Sequence, residues 1–150
     1  MVNMRLSTKS RYGARALLQL ALFYGRGPVH LKEIAKKQQI SLKYLEQLIA
    51  SLKAAGLVKS VRGAKGGYLL SRPPEEIPLI EVFQVLEGSL APVECVEDAK
   101  TCERAGSCAT RDVWKDMKEA LDKVLDPLTL KDLVERHRKK TTPPELMYYI

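Results

Sequence analysis

The hydrophobic spacing of this chain changes abruptly at Gly56. Before it, SLKYLEQLIASLKAAGL repeats at helical intervals, with Leu42, Leu45, Ile49 and Leu52 on one stripe. Ser41 is positioned to cap this helix, and Glu46 lies too far along to complete a capping box. Gly56 is a helix stop. After it, Leu57–Val61 and Tyr68–Leu70 are short β-prone runs on either side of RGAKGG. This spacing predicts an antiparallel hairpin with a long glycine-rich tip, closed by Pro73 and Pro74.

The segments on either side are helical. A first helix is expected from about Thr8 to Tyr24, capped by Ser7 or Thr8 and broken by Gly25–Pro28. HLKEIAKKQQI, with Leu31, Ile34 and Ala35 on one face, predicts a short second helix, followed by a tight turn at Ile40 and Ser41. Downstream, Ile80, Val82, Phe83 and Leu86 mark a helix over Ile77–Leu86, stopped at Gly88. A loop with three cysteines occupies about 90–109. A long helix follows from Thr110 or Arg111 to Asp126, then Pro127, then a short helix in LTLKDLVERH. The tail KKTTPPELMYYI is expected to be loose or docked on a neighbour. The expected units are 1–90, 91–109 and 110–150.

The order helix, short helix, tight turn, helix, basic hairpin is that of a winged helix-turn-helix. The fold class is therefore mainly α with a small β-hairpin wing, plus a long C-terminal helix. Charge supports a nucleic-acid role. Residues 1–72 carry fourteen Lys and Arg against two acids, a net +12, whereas residues 73–150 carry eleven against sixteen, a net −5. A basic front half suits a polyanion. An α-helix fills the DNA major groove with its N-terminal residues near base edges, which nominates Ser41, Lys43, Tyr44, Glu46 and Gln47. Arg62, Gly63, Lys65 and Gly66 at the hairpin tip, and Lys9, Arg11 and Tyr12 at the first helix, are candidates for backbone or minor-groove contacts. No aromatic platform for single-stranded RNA is apparent. The expected partner is double-stranded promoter DNA.

Cys95, Cys102 and Cys108 are the only cysteines, and they lie in a segment poor in other apolar residues. Such a cluster is not needed for packing. The odd count and the absence of a secretory signal argue for a reducing cytoplasm over a disulfide. The N-terminal apolar run is interrupted by Arg15 and Gln19, and no stretch reaches the ~20 apolar residues of a membrane span. From spacing alone, zinc and an iron–sulfur cluster are equally open, with thiol redox chemistry a third option. Catalysis has no support: there is no acid–base pair, no Cys-x-x-Cys and no phosphate loop.

The strings RLSTKSRYGARALLQLAL, YLEQL and VRGAKGGYLL, followed by the cysteine triplet, resemble the IscR-type regulators over roughly residues 4–138. These belong to a superfamily of bacterial winged-helix repressors responding to iron–sulfur status, nitric oxide or cysteine supply. The resemblance implies a homodimer formed through the long helix, an iron–sulfur cluster on Cys95, Cys102 and Cys108, and promoter binding that depends on cluster occupancy. It also implies control of cluster-biogenesis genes and contact with cluster-assembly proteins. Two irons are expected over four. A nitric-oxide or redox sensor of the same superfamily, or a regulator with structural zinc, is the alternative.

One departure matters. Where family members have a histidine three residues after the third cysteine, this chain has Arg111, which cannot ligate iron. Glu46 is the leading fourth ligand, as the only acid of its helix, flanked by Leu42 and Ile49 at the stripe's edge. His30, His137, Glu94, Glu97, Asp98, Glu103 and Asp112 rank below it. The wide stripe of Val113, Trp114, Met117, Leu121, Val124 and Leu125 is the expected dimer surface.

Overall fold

The computed structural model describes residues 5–143. Its elements are α1 (Thr8–Leu22), α2 (Leu31–Gln38), α3 (Leu42–Ala54), β1 (Val58–Val61), β2 (Gly67–Leu70), α4 (Leu79–Glu87), α5 (Glu94–Glu97), α6 (Ala109–Leu125) and α7 (Leu130–Thr141), with 3-10 turns at Pro74–Glu76 and Ala99–Thr101. No described helix is long and apolar enough to cross a membrane.

The helix starts follow from capping. The Ser7 hydroxyl accepts from the Ser10 amide, and the Ser41 hydroxyl accepts from the Tyr44 amide. At α7, Thr129 and Asp132 form a reciprocal capping box. α1 ends two residues earlier than the spacing predicts, capped by Phe23. The turn between α2 and α3 passes through Gln39 in the left-handed region, and α3 terminates where Gly56 adopts φ +80.

The core lies between α1, α3, α4 and the hairpin. Leu17, Leu20, Ile34, Leu45, Leu48, Ile49, Leu52, Leu57, Leu70, Ile77 and Val82 are buried in it. The stripe on α3 differs from expectation by one position. Leu48 is buried and Leu42 only half-buried, because the face toward α1 and α4 is wider than a single heptad seam. In α4 the buried residues are Leu79, Val82 and Leu86, while Ile80 and Phe83 are half-buried.

The hairpin pairs Val58 with Leu70 and Val61 with Gly67. A third short segment joins it. The Val29 amide donates to the Tyr68 carbonyl and the Tyr68 amide to the Val29 carbonyl, each at 2.8 Å.

The stretch from residue 110 onward is not all of one kind in three dimensions. After α6 the chain returns to the winged unit, where the Leu130 amide donates to the Ile77 carbonyl and the Leu79 amide to the Leu128 carbonyl, each at 2.9 Å. Leu130 and Val134 of α7 belong to the same core as α1. α7 carries Lys131, Arg136, Arg138, Lys139 and Lys140 and packs against α1. The C-terminal reading falls partly on residues 144–150, outside the described residues.

At the junction of α1 and α4, Glu87 accepts from the Ser7 amide, the Ser7 hydroxyl (2.7 Å) and the Ser10 hydroxyl (2.5 Å). These bonds, led by that from Ser10, hold its carboxyl below its ordinary value of 4.5 against the opposing effect of burial. A carboxyl whose pKa is lower folded than unfolded stabilises fully above the unfolded value and progressively less as pH falls through the folded one. The melting temperature of the wild type is therefore expected to exceed that of Glu87→Gln at neutral pH. The gap should close as pH drops below 4.5. A gap that stays constant into acid would refute the ionised role.

Candidate nucleic-acid interface and cysteine loop

The exposed N-terminal side of α3 presents Ser41, Lys43, Glu46 and Gln47 to solvent. Tyr44 is also tied to α1. Its hydroxyl shares a 2.9 Å hydrogen bond with the Thr8 hydroxyl, and its ring meets Tyr12 edge-on, with centroids 6.0 Å apart. Arg11 and Arg15 stand over the Tyr12 ring at 5.9 and 5.4 Å. Both tyrosines, nominated from sequence as DNA contacts, are half-buried between helices. Lys9 and Arg11 are exposed beside them. Arg15, not nominated from sequence, donates from Nε to the Gln38 side chain at 2.9 Å and from Nη2 to the Gln38 carbonyl. Gln38 in turn donates to buried Gln19 at 3.2 Å. A polar chain thus locks α1 to the end of α2, just before the turn into α3. A lone arginine at a helical interval gave no sign of this.

At the wing, Arg62, Gly63 and Lys65 are exposed at the tip and Gly66 is buried beneath it. The Gly66 amide donates to the Gly63 carbonyl at 2.9 Å, which closes the turn. A Cβ on Gly66 would lie 2.1 Å from the Val61 carbonyl oxygen, so the tip folds back on its own strand. Lys53 Nζ donates to the Ser60 hydroxyl at 2.9 Å, tying the end of α3 to the wing. Val29 steadies the wing from its other edge. Sequence reasoning missed it because one paired residue is too short to show alternation.

The cysteines occupy three different settings. Cys95 is half-buried on α5, Cys102 is exposed, and Cys108 is the half-buried cap of α6. All three are free thiols. The Cys108 thiol pKa is lowered, first by the Thr110 hydroxyl 3.1 Å away and then by the Arg111 amide. Neighbouring hydrogen bonds do this, not a nearby cation. Arg111 has a structural task. Its Nε donates to the Cys95 carbonyl at 3.0 Å, and its guanidinium reaches the Ala105 carbonyl at 3.5 Å, closing the loop on α6.

No three His, Cys, Asp or Glu side chains converge as a metal site among the described residues. Glu46 is exposed on α3, where a position at the edge of the buried stripe was expected. His30 is the exposed residue preceding α2, and His137 lies in a cleft with Arg26, Lys37 and Arg138. The donor chemistry of three solvent-reaching thiols suits a soft metal or an iron–sulfur cluster. None of residues 89–108 is buried, so packing does not oppose their rearrangement around one.

α6 has no buried residue. Val113, Leu121 and Val124 are 52%, 37% and 60% exposed, while Trp114, Met117 and Leu125 are half-buried. Among the described elements its main neighbours are α4 and α5. A contiguous apolar stripe this exposed is uncommon on a monomeric protein.

The comparisons agree with this architecture. The profile of the Rrf2 family, described as iron-dependent transcriptional regulators, matches residues 6–136. Protein rrf2 of Nitratidesulfovibrio vulgaris is 45% identical over 131 residues, covering 87% of each chain. The structure of CymR, named the global cysteine regulator of B. subtilis, superposes with a TM-score of 0.75 at 43% identity, covering 91% of this chain and 98% of that one. T. potens IscR superposes with a TM-score of 0.79 at 43% identity, covering 97% and 96%. The winged helix-turn-helix, the basic reading surface and these relatives together place the chain in the Rrf2 family of DNA-binding transcriptional regulators.

Proposed function

We propose that this regulator holds an iron–sulfur cluster on Cys95, Cys102 and Cys108 and adjusts promoter binding to iron–sulfur status, with cluster-biogenesis genes as the regulated class. The observation that carries this reading is the loop itself: three free thiols on a segment with no buried residue and no packing duty. The similarity to T. potens IscR supports it. When bound, the cluster supplies oxygen- and redox-labile chemistry at the loop.

Glu46 is the proposed fourth ligand, and a two-iron form is favoured. Free on α3, its carboxylate accepts a hydrogen bond from cytosine N4 or repels phosphate. Engaged by the loop, it is withdrawn from the DNA-facing surface. The two states would then prefer different promoters. The active form is a homodimer joined through α6, which presents two reading helices to a palindrome.

The test is oxygen-free preparation, with visible absorption, iron and sulfide counts, and promoter titration of loaded and unloaded protein. Colourless protein, or identical promoter binding in both forms, defeats the reading; bound zinc without colour supports structural zinc instead. In the Glu46→Ala variant the cluster spectrum is expected to shift, and unloaded protein is expected to relax its preference by roughly 1–3 kcal/mol at one base position. An unchanged spectrum removes Glu46 as ligand.

A second reading is regulation by cysteine supply, favoured by the 43% identity to the regulator named CymR. It predicts colourless protein whose promoter response survives replacement of all three cysteines by serine. A cluster-dependent response to nitric oxide would point to the third branch of the superfamily.

A further inference from the structure

α1 carries no acid in its first turn, although its exposed amides and dipole favour one there. Glu87, the last residue of α4, supplies that charge from another element. Its two oxygens accept from the Ser7 amide at 3.2 and 3.1 Å, from the Ser7 hydroxyl at 2.7 Å and from the Ser10 hydroxyl at 2.5 Å. Ser10 is fully buried. One turn further along, α1 and α4 nearly touch: a Cβ on Gly13 would lie 2.5 Å from a methyl of Leu86. The first turn of α1 is therefore fastened to the end of α4 by charge-assisted bonds and by close packing.

That same first turn holds the DNA-reading helix. Thr8 bonds the Tyr44 hydroxyl at 2.9 Å, and Tyr12 packs edge-on against the Tyr44 ring. Tyr44 sits one residue from Lys43 and three from Gln47 on the exposed start of α3. On its other side, Glu87 is followed at once by Gly88, where the chain leaves α4 for the segment bearing the cysteines.

We propose that Glu87 is a positioning residue for DNA binding: it fixes the first turn of α1, through which Thr8, Tyr12 and Tyr44 set the approach of α3 to the groove. Glu87 touches no DNA itself. Its place at the root of the cysteine loop also connects that loop to the first turn of α1. The positioning role stands on the family's DNA binding alone and does not depend on what the cysteines hold.

The test is a double-mutant cycle on unloaded protein, with a duplex selected from a random-sequence pool by the wild type. Glu87→Gln and Tyr44→Phe each remove one end of the link with little change of shape. Each is expected to weaken binding roughly five- to tenfold. The double variant is expected to be no weaker than the weaker single, within about twofold, because both break one chain of contacts. The slope of affinity against salt should stay unchanged, since no phosphate-contacting cation is removed. Multiplying losses would overturn the proposal. So would a Glu87→Gln protein that melts earlier yet binds as tightly as wild type, or a salt slope reduced by about one. Should Glu87→Gln fail to fold, Ser10→Ala removes a single bond to the same carboxylate and enters the same cycle with the same criteria.

Discussion

Gly67→Ala is expected to lower stability by about 3–5 kcal/mol and to abolish tight DNA binding. Gly67 opens β2 at φ +149, a conformation that costs other residues about 1–3 kcal/mol. A methyl there would lie 2.5 Å from the Val29 carbonyl oxygen, which is backbone and cannot rotate away. Relief requires Val29 to move off, breaking two 2.8 Å hydrogen bonds with Tyr68 worth about 1 kcal/mol each. The wing then loses its inner support, and Arg62 and Lys65 lose their fixed reach. Gly63→Ala is the control. It shares the positive φ, but nothing lies within 4 Å of its Cβ, so only the conformational cost of about 1 kcal/mol applies. Urea unfolding and DNA titration of the two variants check the difference. Equal stability losses would show that close approach to Val29 is not the determinant.

A Leu121→Glu, Val124→Glu double variant is expected to remain folded as a monomer and to lose about 10²-fold or more in affinity for a palindromic duplex. Both side chains are substantially exposed in the single chain, so two carboxylates there leave its stability within about 0.5 kcal/mol per site. In the proposed dimer they would face the same stripe of a second copy, where unpaired charge costs several kcal/mol. Loss of the partner removes the second reading helix, and with it the gain from linking two half-sites. Light scattering and half-site titration measure both effects. A variant that stays dimeric would place the interface elsewhere.

Much of the fold was readable because it rests on local chemistry. Ser41 at a helix start, Gly56 at its end and RGAKGG between β-prone runs each dictate backbone geometry within a few residues. Charge segregation was equally legible, since a count of Lys and Arg needs no coordinates. What escaped was non-local. Val29 pairs with Tyr68 across nearly forty residues. Tyr12 and Tyr44 read as separate DNA contacts because both lie on basic, exposed-looking helix starts; in the fold their rings meet edge-on. Arg111 stood out as a missing ligand, yet its role as the clasp of the cysteine loop depended on carbonyls at Cys95 and Ala105 that no spacing reveals. Glu87 was one of sixteen acids in the rear half and carried no local mark at all.

The order of residues alone determined that this chain makes a helix-turn-helix with a wing, bears its positive charge toward one partner and gathers its thiols on one loop. Capping, turn chemistry and charge act over a few residues and need no distant contact. Only the tertiary structure decided that α7 returns to the core instead of leaving with α6, that α6 is left with an uncovered face, and that Glu87 caps a helix eighty residues upstream. Those outcomes depend on which surfaces meet once the core has closed, and burial is a property of the assembled chain.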